Sequence, residues 1–457
     1  MSAANPAIAD EQTKQSINLG EVEVTANKIS ENLKDVPQSI SVVSDTELQE
    51  REVKNVEELV KTMPNITGVG GMYEGISTRG LNPSIYTSSN PVTVYVSGVA
   101  QSNKDAAYIP VTNIDHVEVL RGPSSAIYGK DSIGGIINIV LKEPTNEWSG
   151  SVGAEYGSHK YMLGLFETSG ALIDDKLFLG LNGSAYKEDG WIINDLNGDK
   201  ANDKKNYNFG LNLKIVPTDR FTIKIYGDLF HRQDDSLDEL FIPKSRFGNI
   251  SKSEAKHINL ETPARVKQTS SSGALDLKYE FDKFDATSAT TFRRAKKDGL
   301  YDEDFGSKIT YLDPDHYGLV TFLNSKNDTV SEELRFSGTD EQSFKWVGGL
   351  YYENEKQVFG PIGDQYGDGG RMIVEDWPSV NRARRHRYSV RSSIRSRANL
   401  MLRLAAGISR SENTQRSITF HTSWDTIPVR PRFRWTKKRH LGRFCQKSHL
   451  DTILPTS

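Results

Sequence analysis

The sequence predicts an α+β domain followed by a long antiparallel β-sheet, in a chain of 457 residues. Three observations support this. Residues 21–145 combine short strands with two capped helices, residues 146–380 alternate apolar and polar side chains, and the connections in that second region alternate between long and short. No apolar run reaches the roughly 18 residues that a membrane helix needs, so a helical membrane protein is excluded.

In the first domain, the local signals are strands and helix caps. Ser39–Val43 predicts a strand, and Ser44 followed by Glu47 is a capping box that starts a helix. A second helix is predicted from Asn55 to Met63, and Pro64 ends it. Strands and helices of this length predict a small mixed domain.

Four further segments of this domain each join a strand to a glycine-containing turn. They are ISTRG at 76–80, VYVSGV at 94–99, HVEVLRGPSSAIYG at 116–129 and GGIINIV at 134–140. Glycine at such positions serves tight turns and close backbone approach.

The second region contains nine predicted strands in which apolar and polar side chains alternate. They are 148–157, 161–170, 176–187, 206–216, 220–231, 271–282, 284–297, 328–338 and 342–356. A barrel with lipid outside and a wet lumen gives this pattern, and so does a soluble β-sandwich.

The connections separate those two alternatives. After the first link, a long connection such as 187–205 is always followed by a short turn such as 217–219. Outer-membrane barrels have short periplasmic turns and long outer loops, whereas a sandwich has no reason to sort its loops in this way. The sequence therefore predicts an antiparallel transmembrane β-barrel.

Taken together in one unbroken order, the four glycine-containing segments resemble the plug domain of TonB-dependent receptors of the bacterial outer membrane. The resemblance spans 21–145, which gives four predicted regions: a signal remnant and flexible arm (1–20), the TonB-box segment and plug (21–145), partial barrel strands (146–380) and a basic tail (381–457). One departure is Ser97, where the family usually carries an acid.

The alternating segment near the N-terminus resembles a TonB box, which implies TonB as a partner. Its residues are Glu21, Val22, Glu23, Val24, Thr25 and Ala26. A short extended peptide can add as a strand to a partner's sheet. The alternative is that these residues form a first strand of the plug.

Six plug residues are predicted to have structural or gating roles: Arg79, Gly80, Arg121, Gly122, Gly129 and Gly135. The glycines fit tight turns and close backbone contacts. In the family, arginines at such positions pair with carboxylates of the barrel wall, and a buried charge requires such a partner. The alternative for each arginine is an exposed side chain beside a turn.

The resemblance implies that the long outer loops help to capture a small-molecule ligand. Their aromatic residues are Trp191, Phe241, Tyr301, Phe305 and Tyr317. One connection has an acidic run spaced partly like a calcium-binding loop, formed by Asp195, Asn197, Asp199 and Asp203. It lacks the terminal bidentate glutamate of such a loop, which favours a solvated acidic loop. We therefore predict no metal site and no cofactor.

Composition changes after about Pro378. Residues 381–457 carry 18 Lys+Arg against three acids, whereas the rest of the chain carries 39 against 57. A basic RNA- or lipid-binding tail is one interpretation. We favour a shifted reading frame, because codons for this tail read two bases later permit strand-like sequence, and we expect the tail to be irregular.

Two expectations concern the extent of the protein. Ala7-Ile8-Ala9 before Asp10 resembles the end of a secretory signal, although an ordinary polar arm is the alternative. A plugged transporter uses about 22 strands, so the barrel is predicted to be incomplete and inactive as written.

The resemblance implies a receptor for TonB-coupled uptake of a ferric siderophore or similar scarce nutrient, surrounded by outer-membrane lipid. The alternative is a passive ligand-binding or adhesion barrel without TonB coupling. The net charge of −3 gives no attraction to nucleic acid, and no metal cluster, nucleophile elbow or phosphate loop occurs in 1–380, so an enzyme is not predicted.

Overall fold

The structure is a computed structural model, and its description covers most of the chain between Glu23 and Ser417. The described residues are 23–25, 28, 31–33, 36, 38–69, 75–83, 91–101, 109, 113–124, 128, 132–235, 248–258, 260, 264–302, 316–338, 344–368, 371–374, 379–395 and 401–417.

The N-terminal domain is built on a five-stranded mixed sheet. Its elements are β1 (Glu23–Val24), β2 (Glu31–Asn32), β3 (Ile40–Ser44), α1 (Asp45–Glu50), α2 (Val56–Lys61), β4 (Ile66–Val69), β5 (Gly75–Thr78), β6 (Val92–Val96), β7 (Val99–Ala100), β8 (Ile114–Arg121) and β9 (Gly135–Leu141). The sheet order is β3-β8-β9-β6-β7, in which β6 and β9 run parallel and the other neighbours antiparallel. β1–β2 and β4–β5 are separate antiparallel pairs.

Both helices begin at the predicted caps. The Ser44 hydroxyl accepts a hydrogen bond from the Glu47 amide at 3.2 Å, and the Asn55 side chain accepts one from the Glu58 amide at 2.9 Å. The Glu58 carboxylate in turn accepts from the Lys54 amide at 2.7 Å, which closes a reciprocal cap at the second helix. These caps fix where each short helix starts.

The hydrophobic core of this domain lies between the helices and the sheet. Val56, Leu59 and Val60 on α2 are fully buried, in contact with a cluster that includes Val117 and Ile137 of the central strands. Burial of this apolar face supplies most of the stabilisation of a helix only six residues long.

The second region is one large antiparallel sheet, which we call the wall. Its strands are β10 (Ser149–Tyr156), β11 (Met162–Ile173), β12 (Leu177–Glu188), β14 (Lys204–Thr218), β15 (Phe221–Asp234), β17 (Arg265–Glu280), β18 (Phe284–Asp302), β19 (His316–Gly338), β20 (Phe344–Asp368), β21 (Arg371–Val374), β22 (Ser379–Arg395) and β23 (Met401–Ser417). Each long strand pairs with the next along the chain, and β21 pairs with β20. β13 (Ile193–Asn194) and β16 (His257–Ile258) lie in connections between wall strands.

The wall has the opposite polarity to a soluble sheet. On β14, Tyr207 and Phe209 are 46% and 44% exposed, while Asn208 between them is buried. On β18, Phe292 is 52% exposed and the adjacent Arg293 is buried. Charged residues are almost never fully buried in soluble proteins. An apolar outer face and a polar inner face therefore identify barrel wall and exclude the sandwich.

All nine predicted strands are confirmed, and two features differ from the prediction. Several wall strands extend further at their outer ends than predicted. For example, β20 has 25 residues. The tail (381–457) is predicted to be irregular, which is wrong for residues 381–395 and 401–417, where β22 and β23 continue the sheet. Backbone pairing of β22 with β20, and of β23 with β22, satisfies the amides of these strands whether or not their side chains alternate. The remainder of the tail lies outside the described residues, and the shifted reading frame stays a prediction.

Among the described residues, no helix has the length and apolar character needed to cross a membrane.

Candidate functional site

The N-terminal segment lies against the plug. Glu23 and Val24 form β1, which pairs with β2, and the Val24 side chain is fully buried. The backbone amide of Thr25 donates to the Glu118 carboxylate on β8, and its hydroxyl donates to the same oxygen at 3.2 Å. Glu23 and Val24 therefore form a short strand, which is the conformation of the alternative interpretation for these two residues. The role of the segment as a TonB box stays a prediction, and Glu21, Val22 and Ala26 lie outside the described residues.

Glu118 is the centre of a buried polar cluster in the plug sheet. It is fully buried and accepts hydrogen bonds from Asn138 at 2.8 Å and from the His116 ring at 3.1 Å, in addition to those from Thr25. Burial alone would raise its pKa, but these hydrogen bonds outweigh it and hold the pKa below its usual value. Burial alone would lower the pKa of His116, but hydrogen bonds to Glu118 and Asp115 raise it above its usual value.

Glycine at the start of β9 is required by close backbone approach. Gly135 has φ of 147°, and a Cβ atom at this position would lie 2.3 Å from the Leu120 carbonyl oxygen. Gly80 and Gly122 also have positive φ, at 80° and 102°. Three of the predicted plug glycines thus occupy conformations that favour glycine, while Gly129 lies outside the described residues.

The two predicted arginines are placed differently from one another. Arg79 is exposed in the turn after β5, with φ of 49°. Arg121 ends β8 and is half-buried, and its Nε atom has no hydrogen-bond acceptor among the described residues. Neither forms an ion pair within the part of the chain that the structure describes. Their pairing with wall carboxylates stays a prediction.

Other charged residues join the plug to the wall. Lys28 pairs with Glu333 on β19, and Lys54 pairs with Glu155 on β10 at 2.8 Å. Arg293 of β18 also donates to the Gln101 side chain of the plug at 3.3 Å. We call the contacts of the plug and its linker with the wall the plug–wall contacts.

The linker between β9 and β10 adds further plug–wall contacts. Lys142 lies 2.9 Å from Asp45 of the plug and 3.3 Å from Glu167 of the wall. The Glu143 carboxylate contacts Lys214 at 2.9 Å and Lys224. Partial burial alone would raise the pKa of Glu143, but the two lysines lower it to about 2.

Sequence reasoning did not identify these lysines and glutamates as interface residues. The available signal was indirect. A linker directly preceding the first wall strand has to run along the wall, so its charges are candidates for pairing.

Two outer connections pack together on the wall. β13 and β16 pair in parallel, and Ile192, Ile258, Leu260 and Ala264 form a small separate core beneath them. The Asn194 side chain donates to the Leu260 carbonyl at 2.7 Å and accepts from the Leu260 amide at 3.1 Å. The connection that contains Trp191 is thereby held in a defined conformation, with the Trp191 side chain 42% exposed.

The acidic loop is closed by its own hydrogen bonds. The Asn197 side chain accepts from the Asp199 amide and donates to the Asp199 carboxylate, both at 2.9 Å. Asp195 pairs with His257 at 2.7 Å. Among the described residues, no group of three or more His, Cys, Asp or Glu side chains could hold a metal ion.

The predicted loop aromatics occupy two kinds of position. Trp191 lies in a connection, as predicted, whereas Tyr301 and Tyr317 lie in β18 and β19 and not in loops. The prediction for these two tyrosines was wrong because the wall strands extend further outward than the alternation indicated. Phe241 and Phe305 lie outside the described residues.

A small domain joined by breakable ion pairs to a wall that is apolar outside and polar inside defines an outer-membrane plug-and-barrel protein. The family model described as the TonB-dependent Receptor Plug Domain matches residues 32–136. Residues 32–136 therefore form a plug domain like that of TonB-dependent receptors.

Individual relatives support the same assignment. The pesticin receptor of Yersinia enterocolitica is 32% identical over 220 residues, which is 47% of this chain and 32% of that receptor. The ferric enterobactin receptor PirA of Pseudomonas aeruginosa is 29% identical over 160 residues, 31% of this chain and 21% of that receptor. The chain thus matches about a third or less of the length of these relatives.

Among solved structures, the ferric-catecholate import receptor Fiu of E. coli K12 has the same fold. The TM-score is 0.70 at 15% sequence identity, over 91% of this chain and 66% of that structure.

Proposed function

We propose that this chain provides the plug and part of the barrel of a TonB-coupled importer for a ferric siderophore or a similar scarce nutrient. The observation that carries the proposal is the plug domain set against a wall of inverted polarity. A plug that closes a polar lumen has to be displaced for a solute to pass, and displacement requires work from a partner.

The plug–wall contacts suit such displacement. Three of these contacts are partly exposed charge pairs at the margin of the plug: Lys54–Glu155, Lys142–Glu167 and Glu143–Lys224. Exposed ion pairs contribute only about 0–1 kcal/mol each. The plug core, by contrast, is a cluster of buried apolar residues that all belong to the plug, with Tyr226 of the wall packed against it. A pulling force therefore separates plug from wall at lower cost than it disrupts the plug core.

The ligand is proposed from chemistry shared by the relatives. The names of PirA and Fiu specify ferric enterobactin and ferric catecholates. A ferric chelate is large, polar and scarce, so it needs both capture and energy-coupled entry. The exposed Trp191 on its hydrogen-bonded loop is an aromatic group suited to contact such a ligand.

Uptake and binding measured together test the proposal. In a full-length receptor that carries this sequence, deletion of residues 21–26 should abolish accumulation of radioactive iron from a ferric siderophore and leave binding to intact cells unchanged. The matched control deletes residues 11–16 of the preceding arm and should leave both unchanged.

Two results would contradict it. If uptake persists without residues 21–26, the protein is a passive barrel. If haem or cobalamin alone supports transport, the ligand class is wrong.

A further inference from the structure

Three lysines lie in one row across the outer ends of neighbouring wall strands. Lys187 of β12 is directly opposite Lys205 of β14. Gln233 of β15 is opposite Lys205 on its other side, and Lys267 of β17 is opposite Gln233. All three lysines are exposed, and we call these four residues the lysine row. Because side chains two residues apart share a face of a strand, the row lies on the apolar outer face of the wall, the face that carries Phe209.

The first two lysines of the row have too little negative charge beside them. Like charges directly opposite one another destabilise an antiparallel pair, and Lys187 and Lys205 are placed in this way. Asp189 lies 3.5 Å from Lys187, but it also lies 3.0 Å from Lys160 and 3.6 Å from Lys200. One carboxylate is therefore shared by three ammonium groups.

The other end of the row is also left without a balancing acid. The residue opposite Lys267 on β18 is Asp298, but its carboxylate pairs with Lys296 at 2.6 Å. Among the residues whose positions the structure describes, neither Lys205 nor Lys267 forms an ion pair. The row therefore presents an excess of positive charge that an anion from outside the chain would balance.

The lysine row borders the apolar part of the outer face. On β15, every outward position from Phe221 to Leu229 is apolar or glycine, and this range has nine residues. A strand crosses the hydrocarbon core of a membrane in about 9–11 residues. His231 follows two residues later and stacks on Tyr207 of β14, with ring centres 4.7 Å apart. Gln233 comes after another two residues, so the row lies just beyond the apolar span, at the level of the lipid headgroups.

A phosphate group attached to acyl chains fits this position. Neighbouring strands are about 4.8 Å apart, so the backbones of Lys205 and Lys267 are about 10 Å apart. Their long side chains can converge from that separation on one anion that lies over Gln233. Phe209 and Leu229 are directly opposite one another on the membrane side of the row and are 44% and 59% exposed. A free anion would leave this apolar surface uncovered, whereas the chains of a lipid would cover it.

We propose that the lysine row binds the phosphate group of a phosphorylated lipid in the outer leaflet, with the acyl chains of that lipid lying on Phe209 and Leu229. The bound phosphate neutralises the opposed charges of Lys187 and Lys205 and ties three neighbouring strands to one headgroup. The row lies on the outer face of the wall, whereas the plug contacts the inner face. This site therefore does not depend on the proposed import.

Lipid binding to the full chain in detergent micelles tests the site. Tritiated dioleoyl phosphatidic acid is titrated onto the immobilised protein, and bound lipid is counted by scintillation proximity. The parent should bind this lipid saturably, and unlabelled dioleoyl phosphatidylcholine or inorganic phosphate should compete about tenfold more weakly than unlabelled phosphatidic acid. Lys205→Gln combined with Lys267→Gln should weaken binding about thirtyfold, because each lysine beside an anionic lipid contributes about fivefold.

Two further variants separate a lipid site from a general effect of charge. Lys252→Gln combined with Lys256→Gln removes the same charge from exposed positions in the connection between β15 and β17, and it should leave binding unchanged. Phe209→Ser keeps every lysine and should still weaken binding about fivefold, because it removes apolar surface for the acyl chains. Circular dichroism should show the same strand content in all variants.

Three outcomes would overturn the lipid site. The first is equal competition by phosphatidylcholine and phosphatidic acid, or no saturable binding by the parent. The second is a loss of binding in the Lys252 and Lys256 variant as large as in the Lys205 and Lys267 variant. The third is displacement by inorganic phosphate as effective as displacement by phosphatidic acid, which would mean an anion site without lipid. Failure of iron uptake would instead count against the proposed function alone.

Discussion

At the scale of single residues, the plug contains ionisable groups whose pKa values are shifted in opposite directions by burial and by hydrogen bonding. Glu118 keeps its charge without solvent contact because His116, Asn138 and Thr25 donate to it. His116 lies between Asp115 and Glu118, which both favour its protonated form. The charge of the cluster therefore changes when pH rises and His116 loses its proton, and also when pH falls and Glu118 gains one.

This cluster should give the plug a stability maximum in mildly acidic solution. The pKa of His116 is raised, so its contribution is complete below the ordinary value of 6.5 and is lost as pH rises through the raised pKa. The pKa of Glu118 is lowered, so its contribution is complete above 4.5 and is lost as pH falls through the lowered pKa. Thermal denaturation of the full chain between pH 6 and pH 8 should show declining stability, and His116→Gln should remove most of that decline. An unchanged pH dependence in the variant contradicts the assignment.

At the scale of elements, the plug sheet depends on the close contact between β8 and β9. Gly135 faces Arg121 in this pairing, and its missing side chain lets the Leu120 carbonyl approach. The glycine pair was visible in the sequence. The identity of the atom it accommodates was not, because that atom belongs to a strand that ends fourteen residues earlier in the chain.

Gly135→Ala should therefore destabilise the plug. The added Cβ atom would lie 2.3 Å from a carbonyl oxygen, and φ of 147° is unfavourable for alanine. We expect a loss of about 1–3 kcal/mol in the free energy of unfolding, measured by urea titration. Gly164→Ala on β11 is the matched control, since a Cβ atom there meets nothing within 4 Å. Equal stability of the two variants would falsify this account of Gly135.

At the scale of the whole molecule, the wall is defined by which face is apolar. Exposed Phe292 beside buried Arg293 on β18 shows the pattern, and exposed Leu229 with buried Arg232 on β15 repeats it. The polar inner face contacts the plug, and the apolar outer face requires lipid. This distribution also explains why the mean hydropathy of the chain is only −0.54 despite its membrane location.

A charge on the outer face should be costly in proportion to its depth in the membrane. Leu275 lies five residues from the turn end of β17, near the middle of a span of about 9–11 residues. Leu275→Arg should lower the free energy of unfolding in phospholipid vesicles by about 2–4 kcal/mol. Leu172→Arg, one residue from the end of β11, should cost only about 0–1 kcal/mol. Similar losses at both positions would show that this face does not contact lipid.

The sequence by itself determined the division into plug and wall, the nine strands, the parity of their connections and the helix caps. These are local properties, since side-chain alternation, capping and turn chemistry act over a few residues. Only the tertiary structure shows which residues Thr25, Lys28 and Glu143 contact. Their roles depend on Glu118, Glu333 and Lys224, which lie 81 to 305 residues away and are brought close only by the packing of plug against wall.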